Sequence, residues 1–564
     1  MVKRLLALVN KKYGGIHEAA ILLGLASFSS QFLGLIRDRA LVSVVGPGSI
    51  LDTYYVSFRV PDLIFALFAS LVSVTALVPI LQRFKQEDDR IDIHMQEFLN
   101  TLLVVFSGVL IVVCLAVYVT MPYIMQFFVS DTSSDTYALV VLMSRIMLLS
   151  PIFFGLQNIF TSVTQLYKKF FVFAIAPIVY NLGILFGVTV LYPILGPKGL
   201  AYGVILGAFV HMAIQVPLLY YLGFSFARPS FKKYWSALRE VFMISIPRTI
   251  TLSLSNITLF FITLLLVHIS TGSVSLFNFA LNVQSIPLMV IGLSYAVASF
   301  PTLVESYHVS HEVFRKTATA IGRSIIFWSL PCMALFIVLR AHIIRVIYGS
   351  SSFSWGDTRT TAALFALVTV SIVFQSLILL FVRMYYASGK TKFPLIFSLL
   401  GGVLSILIAT FGVLYYDNIP GHDLFSSFVF RFSTEDTRPE LLFVGVGYVV
   451  GYLATMISLC IGLKIHFQYS VIKEYGTLFL KTLLGTIGIA GVSYLTLAFL
   501  APFFPLNSFP NVLLHGLISG VTGIIFGAGI FYLLKIEEFL VVIDAIKRHT
   551  FWKVKIIAPN ESDL

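Results

Sequence analysis

The chain has 564 residues, of which 58% are hydrophobic and only 11% are charged, and its mean hydropathy is +0.94. A soluble domain carries about 25% charged residues, so this composition excludes a soluble globular protein and indicates a membrane protein with many spans. The net charge of +12 does not indicate nucleic-acid binding, because the basic residues lie in short loops between hydrophobic runs, where they orient membrane proteins.

The N-terminal sequence MVKRLLALVNKKYGG is not typical of a signal peptide, since its apolar run is short and no small-residue cleavage site follows. A short cytoplasmic or interfacial segment is expected over residues 1–17. Three cysteines, Cys114, Cys332 and Cys460, lie far apart in apolar segments. They indicate neither a disulfide framework nor a zinc site.

The hydrophobic segments predict the fold class. A transmembrane helix needs about 20 apolar residues, and about fourteen segments meet this requirement. Their predicted limits are 18–45, 51–81, 98–121, 137–164, 170–192, 199–222, 241–268, 273–301, 318–340, 361–388, 393–416, 441–463, 476–500 and 512–535. We therefore expect an all-α polytopic membrane protein.

The loops between these segments differ in charge. Every second loop is rich in basic residues, namely Lys3, Arg4, Lys11 and Lys12; Arg83, Lys85 and Arg90; Lys168 and Lys169; Arg228, Lys232, Lys233 and Arg239; Arg315 and Lys316; Lys390 and Lys392; Lys464 and Lys473; and Lys547, Arg548, Lys553 and Lys555. The other loops carry few. Because basic loops stay in the cytoplasm, both termini are predicted to be cytoplasmic, in the cytoplasmic (inner) membrane.

Two sequence echoes indicate an internal repeat. Gln157, Tyr167 and Pro177 are echoed by Gln375, Tyr385 and Pro394, and ALVPILQRF in the second segment resembles ASFPTLVESY in the eighth. A repeat of six helices gives two lobes inserted the same way up. The predicted organisation is a six-helix lobe at 18–222, a cytoplasmic linker at 223–240, a second six-helix lobe at 241–463 with an external loop at 417–440, helices 13 and 14 within 464–535, and a cytoplasmic tail at 536–564.

The sequence contains no enzyme motif: HExxH, GxxxxGK[ST] and GxSxG are all absent. His211 and His268 are interpreted as structural histidines. GxxxG spacings predict close helix packing rather than a nucleotide loop, at Gly183/Gly187, Gly199/Gly203/Gly207, Gly447/Gly451, Gly516/Gly520 and Gly523/Gly527.

The first two segments contain an unusual number of charges, namely Arg37, Asp38, Arg39, Asp52, Arg59 and Asp62. Each charge costs at least about 2.5 kcal/mol at the bilayer centre, so such residues face a bundle interior or a wet cavity. Two interpretations stay open. One is a salt-bridge network that locks helix 1 to helix 2, and the other is a cationic cavity for an anionic substrate. Arginine suits phosphate because its planar fork donates two hydrogen bonds.

The spacing of these residues along the chain predicts which helix face each one occupies. The adjacent Arg37 and Asp38 are expected on different sides of helix 1, while Gln31, Gly34 and Asp38 share one face. Gly34 leaves room for a close approach, and Pro61 is expected to kink helix 2.

Other arginines lie in later segments. Arg248 follows Pro247 deep in the seventh segment and is a predicted cavity residue. Arg145 in the fourth segment and Arg383 at the end of the tenth are further candidates. Arg39, Arg323 and Arg383 are equally well explained by side chains that extend to the interface.

The stretch FLGLIRDRALVSVVGPGSILDTYYVSFRVPDL, followed by ALVPIL, resembles the N-terminal signature of the MurJ/MviN family, within the multidrug/oligosaccharidyl-lipid/polysaccharide exporter superfamily. SRIMLLSPIFFG, APIVYNLGILFG and RMYYASGKTKFP resemble further family stretches. The resemblance implies two six-helix lobes around a hydrated cationic cavity, with helices 13 and 14 forming a groove for a lipid tail. It also implies transport of lipid II, an undecaprenyl diphosphate that carries a disaccharide-pentapeptide.

Within this resemblance, Arg37, Asp38, Asp52 and Pro61 match the family signature, and Arg59 matches a position that is usually basic. Several expected charges are absent. The family usually has an arginine at the position of Gln31. It usually has a basic pair and then Glu-Gly after the proline of helix 2, at the positions of Phe65, Ala66, Ser70 and Leu71, and often an Asp-Arg pair at those of Leu281 and Asn282. We hypothesise that Arg248 compensates for the lost cations.

The sequence therefore predicts a flippase for lipid II rather than an enzyme, acting by alternating access. Arg37, Arg59, Arg248 and Gln31 are predicted to bind substrate, and Asp38 and Asp52 to pair with arginines or to gate the cavity. Gly34 and Pro61 are predicted hinges. The alternatives are a flippase for another polyprenyl-diphosphate-linked oligosaccharide and a drug or cation antiporter of the same superfamily.

The expected partners are membrane lipid and the undecaprenyl-diphosphate-linked glycan, with no nucleic acid, no cofactor and no metal. A monomer is expected. Coupling to an ion or to the membrane potential is possible, at a site that the sequence does not identify.

Overall fold

The computed structural model describes residues 16–72, 74–85, 90–129, 134–430, 438–505 and 508–547. These residues are almost entirely helical, with no strand among them. The long helices are α1 (Ile16–Val44), α2 (Ser49–Phe68, continued as Val74–Phe84), α3 (Ile93–Gln126), α4 (Ser134–Leu166), α5 (Phe170–Leu195), α6 (Lys198–Tyr221), α7 (Phe231–Val267), α8 (Ser273–Val309), α9 (His311–Val338), α10 (Trp355–Ala387), α11 (Lys392–Leu414), α12 (Leu441–Phe467), α13 (Val471–Leu500) and α14 (Phe509–Leu533).

Each predicted hydrophobic segment overlaps one of these helices, and the all-α membrane fold is confirmed. Within the described part of the chain, 11 helices are long and apolar enough to cross a membrane. The exceptions among α1–α14 are α1, α2 and α7, which carry the intramembrane charges noted above. The number of fourteen spans stays a prediction.

Shorter elements fill some of the connections. A helix at Arg340–Tyr348 precedes α10, and the predicted external loop 417–440 contains a helix at His422–Val429. A final helix, α15 (Glu537–Lys547), lies in the predicted cytoplasmic tail. The predicted N-terminal segment falls almost wholly outside the described residues, as does the end of the tail.

The chain divides into two compact units, Met1–Ser275 and Leu276–Leu564. In the first unit α1 packs on α5, α5 on α6, and α2 lies between α4 and α7. Because α7 packs along both parts of α2, it belongs to the first unit by its contacts. The lobe boundaries inferred from the sequence repeat stay a prediction.

In the second unit α10 is the central helix, in contact with α8, α9 and α12, and α11 packs along α12. Its core includes the fully buried side chains Phe381, Tyr385 and Tyr469. Helices α13 and α14 pack on each other, and α13 packs on α9. The C-terminal pair is thus attached through α9 and through the short helix at Arg340–Tyr348, which packs on α14.

Close packing at the predicted GxxxG motifs is confirmed. A methyl group added to Gly187 on α5 would lie 2.6 Å from the Cα atom of Gly203 on α6, so these two helices touch through their backbones. In the second unit a methyl group on Gly451 of α12 would lie 2.7 Å from the carbonyl oxygen of Gly401 on α11. Glycine is needed at such contacts because any side chain would force the helices apart.

Both units carry corresponding features at the echoed positions. Gln157 donates to Thr161 Oγ1 at 2.6 Å in the first unit, and Gln375 donates to Ser371 Oγ at 2.7 Å in the second. Each pair lies one helical turn apart in a buried core. Tyr167 and Tyr385 are both fully buried at the ends of α4 and α10. The two tyrosines are buried alike, but the glutamines bond in opposite directions along their helices, so the internal repeat stays a prediction.

Candidate functional site in the N-terminal unit

The charged residues of α1 and α2 lie with aromatic and amide side chains of α5 in the interior of the first unit. Arg37 and Asp38 come from α1, Tyr54 from α2, and Tyr180 and Asn181 from α5. These helices bring the groups together because α1 packs directly on α5. We refer to this set of five residues as the charged cluster.

Arg37 and Asp38 form an ion pair at the centre of the charged cluster. The Nε and Nη2 atoms of Arg37 donate to Oδ1 of Asp38 at 2.9 and 2.6 Å. Adjacent residues are expected on different sides of a helix, but the arginine side chain is long enough for its guanidinium to reach the neighbouring carboxylate. Asp38 is only 1% exposed, so the pair neutralises a buried charge.

Asn181 is the second partner of Arg37. Its Oδ1 atom accepts a hydrogen bond of 2.9 Å from Nη1 of Arg37, and its Nδ2 atom donates to the backbone oxygens of Ser30 and Pro177. Sequence reasoning missed this residue. The signal was a Tyr-Asn pair inside an otherwise apolar segment, in a stretch that resembles the family.

Arg59 and Asp62 extend the charges along α2. They lie one helical turn apart, within electrostatic reach of each other, and Tyr55 lies near Arg59. Both Arg59 and Asp62 are half-buried. When all are ionised, Arg37, Asp38, Arg59 and Asp62 sum to zero charge, since two cations balance two anions.

Asp52 lies at the other end of the hairpin, in the first turn of α2. Its carboxylate accepts hydrogen bonds from the backbone N–H of Ser275 at 2.8 Å, from the backbone N–H of Gly272, and from the Ser275 hydroxyl. A carboxylate at a helix N-terminus satisfies N–H groups that the helix itself leaves unbonded. Asp52 thus fastens the start of α2 to the turn between α7 and α8.

The remaining predicted residues of α1 and α2 lie along the same hairpin. A methyl group on Gly34 would lie 4.0 Å from Oδ1 of Asn181, an ordinary contact, so Gly34 faces α5 near the charged cluster. Gln31 is half-buried on α1. Pro61 is buried within α2, which stays helical beyond it and changes to a 3₁₀ turn at Ala69–Val72. The predicted hinge roles of Gly34 and Pro61 stay predictions.

The candidates in other helices lie elsewhere. Arg145 donates to the backbone oxygen of Tyr118 at 3.0 Å and stacks on its ring at 4.5 Å, which places it between α4 and α3. Arg383 donates to the backbone oxygen of Leu379 within α10, in the second unit. Arg248 belongs to α7, but its side chain lies outside the described part of the structure.

One of the departures from the family pattern has a packing explanation. The ring of Phe65 on α2 packs edge-on against Phe154 on α4, with 5.5 Å between the ring centroids. An aromatic contact therefore occupies a position where the family resemblance implies charge. Among the described residues, no group of three or more His, Cys, Asp or Glu side chains could hold a metal ion.

Arginines and carboxylates inside the bundle of a helical membrane protein indicate a pathway for polar groups, as in a transporter, or an ion pair that fastens helices to each other. The family model described as Lipid II flippase MurJ matches residues 41–419, and the chain belongs to this family. The predicted family resemblance is thereby confirmed, as is the prediction of a transporter rather than an enzyme.

Similar sequences support this assignment. A probable lipid II flippase MurJ of Borreliella burgdorferi is 23% identical over 406 residues, covering 71% of this chain and 78% of the relative. A probable lipid II flippase MurJ of Thermotoga maritima is 25% identical over 392 residues, covering 68% and 76%. The chain thus spans more than two thirds of each relative.

Solved structures share the fold. A lipid II flippase MurJ in an inward closed conformation matches with a TM-score of 0.70 at 21% identity, covering 91% of this chain and 99% of that chain. An inward-facing multidrug resistance MATE family transporter of the MOP superfamily matches with a TM-score of 0.63 at 16% identity, covering 78% and 94%. The chain is therefore a multi-pass membrane protein with this transporter fold.

Proposed function

We propose that this protein translocates lipid II from the inner to the outer leaflet of the cytoplasmic membrane by alternating access, with both termini in the cytoplasm. The proposal is supported by family membership and by one structural observation, the half-buried Arg37 held inside the first unit by Asp38 and Asn181. A diphosphate and sugar headgroup cannot cross hydrocarbon unaided, because burying an unpaired charge is very costly. A protein that supplies hydrogen-bond donors inside the membrane lowers that cost, while the lipid tail stays in the bilayer.

The geometry of Arg37 suits this task. A guanidinium has five N–H donors. Two are used by Asp38 and one by Asn181. The other two, one on each terminal nitrogen, meet no acceptor among the described residues, and the side chain is 22% exposed. Two adjacent N–H groups can donate to two oxygens of one phosphate.

The carboxylates would have separate roles. Asp38 keeps Arg37 in place and neutralises it when no substrate is bound. Asp52 would act as a gate, because the opening of the hairpin end requires its bonds to Gly272 and Ser275 to break. Arg59 and Gln31 would contact the headgroup further along the hairpin. The protein would act as a monomer without a cofactor, and an ion gradient or the membrane potential would supply the energy.

Complementation tests the proposal. In a strain depleted of its own lipid II flippase, the chain is expected to restore growth and the accessibility of lipid II at the outer leaflet. Arg37→Ala should abolish rescue, whereas Arg239→Ala, at an exposed position on α7, should not. Normal expression of the unaltered chain without rescue would exclude lipid II as the substrate. Rescue by Arg37→Ala would exclude the role of this arginine.

The same assay tests the predicted compensation by Arg248. If this residue supplies charge that the family usually places elsewhere, Arg248→Ala should lose rescue at a normal level of expression. Full rescue by Arg248→Ala together with loss of rescue by Arg37→Ala would refute the compensation.

A second candidate function follows from the charge balance. The four charged residues of the α1–α2 hairpin interior sum to zero, and Phe65 packs on Phe154 where the family resemblance implies charge. A site with fewer cations suits a different polyprenyl-diphosphate-linked oligosaccharide. Failure to rescue a lipid II flippase strain, combined with retained binding of a prenyl diphosphate, would favour this candidate. Binding of organic cations instead would favour an antiporter.

A further inference from the structure

Asn181 occupies the junction of α1 and α5. It is 8% exposed and makes hydrogen bonds in two directions. Its Oδ1 accepts from Nη1 of Arg37 at 2.9 Å, while its Nδ2 lies 3.3 Å from the backbone oxygen of Ser30, 3.2 Å from Ser30 Oγ and 3.1 Å from the backbone oxygen of Pro177. One side chain thus connects the arginine of the charged cluster to two backbone positions.

The orientation of this amide is fixed by its partners. Arginine has donors only, and a backbone carbonyl has acceptors only. Rotating the amide by half a turn would set its NH₂ group against Arg37 and its oxygen against the oxygens of Ser30 and Pro177. The contacts with Arg37 and with both backbone oxygens would then be repulsive, and only the Ser30 hydroxyl could donate to the amide oxygen, so the amide oxygen faces Arg37.

We propose that Asn181 is the positioning residue that holds Arg37 in the orientation that binds a diphosphate group. Asp38 fixes the Nε side of the guanidinium, and Asn181 fixes Nη1. With both sides held, the plane of the guanidinium is fixed, and one N–H group on each terminal nitrogen is left for phosphate oxygens. This role rests on the proposed function, because it concerns the same phosphate-bearing substrate.

Only an amide of this length satisfies all of the partners. Aspartate would keep an acceptor for Arg37, but it offers no donor to Ser30 and Pro177, and it would change the sum over Arg37, Asp38 and position 181 from zero to minus one. Leucine, which is similar in size, offers neither donor nor acceptor. The two substitutions therefore separate loss of positioning from loss of positive charge.

Helix α5 provides a firm base for this residue. Gly187 lies in backbone contact with Gly203 of α6, so α5 and α6 form a tightly packed pair. Asn181 lies less than two turns from that contact. Its position is set by the α5–α6 pair, and it transmits that position to α1 through Arg37.

Binding measurements on the purified full chain test the inference, with farnesyl diphosphate and inorganic pyrophosphate as probes. Asn181→Leu is expected to weaken binding of farnesyl diphosphate about tenfold, the loss that one charge-assisted hydrogen bond typically causes. Asn181→Asp should bind more weakly still, and the difference between the two variants should shrink at high salt. Thr189→Val, which removes a hydrogen bond within α5 at an exposed position, should leave the Kd unchanged.

A double-mutant cycle separates positioning from a general structural role. In an Arg37→Met background, Asn181→Leu should cause no further loss of affinity, because Asn181 acts through Arg37. The melting temperature of each variant is measured in parallel, and Asn181→Ala, which removes the amide without adding charge, replaces the leucine variant if that variant is not monodisperse.

The outcomes distinguish failure of the Asn181 inference from failure of the proposed function. If the unaltered chain binds farnesyl diphosphate and Asn181→Leu binds it within twofold of that affinity, the inference is overturned. It is also overturned if Asn181→Leu causes the same loss in the Arg37→Met background. If the unaltered chain binds neither probe, the proposed function fails and the inference falls with it.

Discussion

The carboxylate of Asp52 is expected to hold one end of the first unit closed, and Asp52→Asn tests this. One carboxylate oxygen accepts from both the N–H and the hydroxyl of Ser275, and the other accepts from the N–H of Gly272. An asparagine that keeps the Ser275 bonds must turn its NH₂ group towards the N–H of Gly272. One hydrogen bond to a charged acceptor is lost, and two donors then face each other.

The magnitude follows from these contacts. Losing one hydrogen bond to a charged group and leaving its partner unsatisfied costs about 1.5–3 kcal/mol. A loss of 1.4 kcal/mol shifts an equilibrium about tenfold. The equilibrium between closed and open forms of this hairpin end should therefore move towards the open form by about 10- to 100-fold.

Cysteine labelling measures this opening. The three natural cysteines, Cys114, Cys332 and Cys460, are replaced by serine, and Thr53, a buried neighbour of Asp52, is replaced by cysteine. The rate of reaction with a membrane-impermeant maleimide in intact cells should rise about 10- to 100-fold on Asp52→Asn.

The matched control is a carboxylate that does not fasten the start of α2 to the turn between α7 and α8. The side chain of Asp423 is 89% exposed, so Asp423→Asn should leave the labelling rate of the same cysteine unchanged. A rate that changes less than twofold on Asp52→Asn would show that these hydrogen bonds do not hold the hairpin closed.

Three further predictions concern packing and charge. Gly187→Ala should destabilise the α5–α6 contact by about 1–3 kcal/mol through overpacking. The control is Gly108→Ala, which should be neutral or stabilising because Gly108 has open space around it. Melting curves recorded with a thiol-reactive dye compare the two variants, and equal melting temperatures would refute the packing argument. Glu240, beyond the predicted membrane segments, has its pKa lowered by hydrogen bonds from Arg83 at 2.7 and 2.8 Å. A lowered pKa in the folded state stabilises the fold above the usual value of 4.5, and this stabilisation is lost as the pH falls through the lowered value. The difference in melting temperature between the unaltered chain and Glu240→Gln should therefore shrink as the pH falls below 4.5, and a difference that stays constant there would contradict the reasoning. Arg323 donates to Glu538 at 2.5 Å and to Glu537 at 2.8 Å, the first two residues of α15. Arg323→Ala should therefore release α15 and make proteolysis between α14 and α15 faster. An unchanged cleavage rate would show that these ion pairs do not hold the helix.

The sequence was sufficient for features that depend on local composition. Hydrophobic length placed α1–α14, and the GxxxG spacing predicted close helix packing at Gly187 and Gly203 without showing that these two glycines contact each other. Both follow from the physics of a single helix or of two helices that must approach closely in lipid. The charges of α1 and α2 were also identified as the unusual feature of the chain.

The residues that bind those charges could not be predicted from the sequence in the same way. Arg37 and Asn181 are 144 residues apart, and Asp52 and Ser275 are 223 residues apart. Such pairs exist only after the helices have packed, and an arginine side chain is long enough to reach several alternatives. Arg145 shows the same limit, since it binds Tyr118 on α3, outside the charged cluster. The identity of Asn181 was visible as a polar residue in an apolar helix, but its partner was not.

The glycine contact between α5 and α6 has a mechanical consequence for α1. Two helices in backbone contact have little freedom to slide or rotate, so they serve as a fixed frame within the first unit. Asn181 is mounted on that frame, and Arg37 is the point at which α1 is fastened to it. A rotation of α1 must therefore either carry this hydrogen bond with it or break it. The arginine that would bind the substrate is also the residue that fastens α1 to this frame, so a phosphate held by its other N–H groups would be held at a fixed position relative to α5 and α6.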